Sequence, residues 1–102
     1  MIETRVLVVE DEAIVAHDLR LRLQELGYSI AASVPSGEEA VQQAAALHPD
    51  LVLMDIQLAG DLDGVAAAEQ IRTQYDIPVI FLTAYADEAT LQRAKVAEPL
   101  KE

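Results

Sequence analysis

Three apolar runs end in residues that can do chemistry. "VVEDE" presents Glu10 and Asp11, "LVLMD" presents Asp55, and "FLTAY" presents Thr83. The sharpest case is Asp55. The uninterrupted apolar residues Leu51 to Met54 run straight into its carboxylate, and a carboxylate beside a buried strand is costly unless something pairs with it. If the runs are neighbouring strands, Glu10, Asp11, Asp55 and the Thr83 hydroxyl converge at one edge of a sheet. Carboxylates brought together repel, and at neutral pH they need either raised pKa values or a cation. An all-oxygen, partly hydrated site suits Mg²⁺ better than zinc. Asp55 could then act as a nucleophile toward a phosphoryl group, with Thr83 donating its hydroxyl to a transferred oxygen.

Each residue also has a plainer use. Asp11 stands just before a helix pattern, where Asp is a good N-cap, and Glu10 and Glu12 favour a helix N-terminus electrostatically. Asp55 alone could be a loop residue and Thr83 an ordinary strand terminus. Asp61 and Asp63, with Gly60 and Gly64 beside them, read as turn residues. Capping accounts for one of these positions; it does not account for their falling at the same end of successive strands.

The elements that must position them can be read from periodicity. Runs rich in β-branched residues at Val6–Val9, Leu51–Met54 and Val79–Leu82, with a weaker one at Tyr28–Val34, suit strands buried on both faces of a parallel sheet. Amphipathic helix patterns alternate with them. The first covers Ala13 to Leu26, with Val15, Leu19, Leu23 and Leu26 on one stripe and Gly27 at the stop. The second opens "PSGEEAVQQAAAL", where Ser36 and Glu39 have capping-box spacing. Gly64 to Tyr75 makes the third and Asp87 to Glu98 the fourth. Strand–helix alternation with short connections implies right-handed crossovers, an α/β class and an open, doubly wound parallel sheet. In such sheets the ligand crevice lies outside the carboxyl ends of the strands.

Composition narrows the function classes. At 102 residues the chain is expected to form a single domain, residues 1–102. The absence of cysteine removes disulfides and thiolate metal sites. No apolar run approaches the ~20 residues of a membrane span, and the start "MIETRVLVVE" lacks the features of a signal peptide, so a soluble, cytoplasmic protein is expected. Eighteen acidic against seven basic residues give a net charge of −11, which repels phosphate backbones and anionic lipid. Neither nucleic acid nor membrane is an expected partner. His17 and His48 have no ligand-spaced partners and read as surface or helix-end residues.

With these pieces in place, the chain resembles the receiver domain of bacterial two-component response regulators. The matching stretches are "VLVVEDE", "PDLVLMDIQL", the Asp63–Gly64 pair, "IPVIFLTAY" and "ATLQRAKVAEP", from about Arg5 to Pro99. The resemblance implies a flavodoxin-like receiver fold with strand order 2-1-3-4-5. It makes Asp55 the acceptor of a phosphoryl group from a sensor histidine kinase or phosphotransfer domain. Asp11 would bind Mg²⁺ directly, Glu10 largely through water, and the backbone carbonyl of Gln57 would supply another ligand beside Asp55. Thr83 would be the switch hydroxyl that repositions the following loop and helix, a population shift between two states. Gln57 and Tyr85 would occupy the positions that border the attacking water and influence phosphate lifetime. Such a domain is a signalling phosphoprotein whose chemistry is limited to its own phosphorylation and dephosphorylation.

The sequence departs from the family at two places. The loop "IQLAGDLDG" lacks the proline common there and is longer than in the chemotaxis type. The family's lysine after the fifth strand would fall beyond Glu102; Lys101 comes too early and Lys95 lies inside the fourth helix pattern. The fifth strand and helix are therefore expected to be missing from the chain. An uncovered edge strand favours association, which makes a homodimer possible. An alternative function is a phosphorylation-independent interaction domain of the same fold. A haloacid-dehalogenase-type hydrolase would carry a second acid two residues after its nucleophile, and Gln57 stands there instead.

Overall fold

In a computed structural model, the described residues are 3–55 and 64–82. They form β1 (Arg5–Val9), α1 (Ala13–Glu25), β2 (Ser29–Val34), α2 (Gly37–Leu47), β3 (Leu51–Asp55), α3 (Gly64–Tyr75) and β4 (Val79–Leu82). The strands are parallel and lie in the order β2-β1-β3-β4. This is the doubly wound arrangement that the alternation of apolar runs and helix patterns predicts, with the chain reversing its winding direction after β2. The expected fourth helix, Asp87 to Glu98, lies outside the described residues.

β1 is the central strand, and its composition explains why. Val6, Leu7, Val8 and Val9 are all fully buried, as a strand covered on both faces requires. Alternate residues point to opposite faces. Leu7 and Val9 join Val52, Met54 and Val79 in the core shared with Ala40 and Ala44 of α2 and Ala67, Ala68 and Ile71 of α3. Each large side chain buried there stabilises the fold by ~1.5–3 kcal/mol relative to exposure. The alanines let α2 and α3 lie close to each other and to the sheet. Val6 and Val8 face the other way, toward α1, whose buried residue is Ala16.

Local signals set the boundaries. α1 stops where expected: Gly27 has φ 99°, and the Gly27 and Tyr28 amides donate to the carbonyls of Gln24 and Leu23 at 3.0 Å each, the pattern of a Schellman stop. Nothing lies within 4 Å of a Cβ built on Gly27, so its requirement is purely the left-handed backbone. Ser36 caps α2 by accepting from the Glu39 amide at 3.2 Å, and its hydroxyl donates to the Glu39 carboxylate at 3.2 Å. The reciprocal arm of the box thus runs from the hydroxyl. His48 ends α2 in the left-handed region at φ 46° and stands exposed; His17 is also exposed, on α1.

The stripe expected on α1 is only partly buried. Leu19 and Leu23 are half-buried, whereas Val15 and Leu26 are 38 % and 74 % exposed. The helix approaches β1 and β2 along the small side chain of Ala16, which turns Val15 and Leu26 to its flank. Among the described residues no second helix lies beside α1 on that face, and Ile80 of β4 is 40 % exposed. No helix among the described residues is long and apolar enough to cross a membrane.

Candidate functional site

The site grows from the carboxyl ends of β1 and β3. These strands are hydrogen-bonded neighbours, with Val9 opposite Met54. One step further along the same register, the chain presents Glu10 and Asp11 from β1 and Asp55 from β3. Glu10 continues the sheet for one more bond, its amide donating to the Val34 carbonyl of β2 at 3.0 Å. That tether turns the Glu10 side chain into the sheet edge, where it is 5 % exposed and is the only buried charged residue among those described. Asp11 is exposed and Asp55 half-buried.

Glu10, Asp11 and Asp55 each place a carboxylate oxygen so that all three atoms lie within 4.8 Å of one another. Their mutual effect appears in Glu10, whose pKa is raised from 4.5 to about 7. Burial is the largest cause; the Asp55 charge, a hydrogen bond with Asp11 and the Asp11 charge push the same way. The Glu12 amide opposes them, donating to Glu10 Oε2 at 3.2 Å.

Asp11 does not cap α1. The N-cap is Glu12, and it makes no side-chain capping bond. The capping expectation for Asp11 is thereby corrected: the turn from β1 to α1 directs its carboxylate toward Glu10 and Asp55 rather than back to the helix amides. The Glu12 amide at the mouth of α1 serves Glu10 instead, a contact that residue types and spacing do not reveal.

The donor set fits a hard divalent cation. It contains only carboxylate oxygens, it carries excess negative charge, and its most buried member holds a raised pKa that a cation would reverse. Of the residues singled out from the sequence, Glu10, Asp11 and Asp55 come together, whereas Gln57, Thr83 and Tyr85 lie outside the described residues, as do Gly60, Asp61, Asp63, Lys95 and Lys101.

A parallel doubly wound sheet with acidic residues clustered at the carboxyl ends of its central strands defines a class of α/β domain. Within that class, the chain belongs to the response regulator receiver domain family, which matches residues 6–99. It is 40 % identical over 93 residues to the transcriptional regulatory protein PdtaR of Mycobacterium tuberculosis, covering 91 % of this chain and 45 % of that protein. It is 36 % identical over 85 residues to the phyllosphere-induced regulator PhyR of Methylorubrum extorquens, covering 82 % of this chain and 32 % of that protein. The chain thus spans less than half the length of these curated relatives. In structure it is similar to the signal receiver domain of a modulated diguanylate cyclase from Desulfovibrio desulfuricans, with a TM-score of 0.89 and 43 % identity over 94 % of this chain and 76 % of that one. The receiver domain is a signalling module of two-component systems, not a conventional enzyme.

Proposed function

We propose that the chain is a phosphoaccepting receiver and that Asp55 is its acceptor. The observation that carries this reading is the convergence of Glu10, Asp11 and Asp55 at the carboxyl ends of β1 and β3. A sensor histidine kinase or phosphotransfer domain in the cytoplasm supplies the phosphoryl group. A carboxylate oxygen of Asp55 attacks phosphorus in line with the leaving imidazole, the P–N bond breaks as the P–O bond forms, and the leaving nitrogen takes a proton. Asp55 is suited to this because β3 ends on it, so the backbone of a packed strand fixes its position while its carboxylate stays half-exposed to the donor.

Glu10, Asp11 and Asp55, with the Gln57 carbonyl, would hold Mg²⁺. When bound, the ion offsets charge on the transferred oxygens. Glu10, tethered through its amide to β2 and through its carboxylate to the Glu12 amide, keeps the acidic edge in place. Thr83 is the switch hydroxyl, and Gln57 and Tyr85 tune phosphate lifetime.

The test is intact mass spectrometry after incubation with acetyl phosphate. Gain of a single phosphoryl group that requires Mg²⁺ and disappears in Asp55→Ala is the expected result. Labelling that persists in Asp55→Ala would reassign the acceptor. A folded chain that never labels, with Mg²⁺ bound, would favour the phosphorylation-independent interaction domain.

A further inference from the structure

We draw no further inference here: the strongest candidate, the solvent-facing side of α1 that carries Ile14 at 86 % and Leu21 at 47 % exposure, is an apolar face without a partner among the described residues, and nothing in the structure shows what covers it.

Discussion

At the amino ends of the strands, Arg5 and Asp50 satisfy each other; at the carboxyl ends, Glu10, Asp11 and Asp55 do the reverse. The Arg5 amide donates to Asp50 Oδ2 and the Asp50 amide donates back to the Arg5 carbonyl, both at 2.9 Å. The Arg5 guanidinium then donates to the Leu47 carbonyl at 2.9 Å, at the negative end of α2. A carboxylate on a strand amide, a guanidinium on a helix-end carbonyl and a returning backbone bond thus close one edge of the sheet. At the other edge, like charges are held within 4.8 Å of one another, one of them buried. Both arrangements hang on β1 and β3. The first stabilises the fold, whereas the second stores repulsion where a cation and a phosphoryl group are proposed to bind.

The contrast has a measurable size. In the absence of divalent cations, the folded chain keeps a proton on Glu10 between pH 4.5 and about 7 that the unfolded chain has released. The folded state therefore binds more protons across that window, and stability falls as pH rises through it, by up to about 3 kcal/mol, before levelling off. Urea denaturation at pH 5 and pH 8, compared with Glu10→Gln, measures this; parallel profiles for the two proteins would refute it.

Cation addition should work against that loss. At ten times its dissociation constant, Mg²⁺ is expected to raise stability at pH 8 by about 1.4 kcal/mol, and by much less at pH 5, where Glu10 holds its proton. Equal gains at both pH values would mean that the ion binds elsewhere.

A smaller change should come from relieving the repulsion directly. Asp55→Asn removes one source of the raised Glu10 pKa and should raise cation-free stability at pH 8 by roughly 1 kcal/mol, while shrinking the Mg²⁺ gain. If the variant is less stable than the parent in cation-free buffer, the cluster is not under electrostatic stress.

The opposite edge supplies the control. Asp50→Ala deletes the acceptor for the Arg5 amide and should cost about 0.5–1 kcal/mol. That loss should be the same at pH 5 and pH 8, with or without Mg²⁺. A cation-dependent loss would show that the two ends of the sheet are coupled through β1.

The acidic edge is legible in the sequence, and the Arg5–Asp50 edge is not. The reason is periodicity. Continuous apolar runs such as Val6–Val9 announce a doubly covered strand, and the residues just after each run must lie at its carboxyl end; Glu10, Asp11 and Asp55 are therefore placed by counting. β3 gains one residue, Asp55, over the run that predicts it, and β4 matches its run. α3 also begins and ends as expected, at Gly64 and Tyr75. Arg5 and Asp50 precede their runs and show no pattern. Their pairing depends on the register between β1 and β3, which side-chain types alone do not give. The α1 stripe misleads for a related reason: periodicity tells which residues share a face, but Ala16 sets how the helix leans on the sheet, and Val15 and Leu26 are left out. Thr83, Gln57 and Tyr85 lie outside the described residues.

The adjacency of β1 and β3 has a kinetic meaning as well. α1, β2 and α2 lie between them in the chain, so closing this pair requires a long loop to give up its entropy before its contacts form. Glu10 and Asp11 meet Asp55 only when that closure is complete. Until then Asp55 belongs to a separate segment from Glu10 and Asp11 and exerts little force on them. Formation of the cation site and docking of the two central strands are consequently one event, so a divalent ion that binds the cluster favours the chain with β1 and β3 already paired.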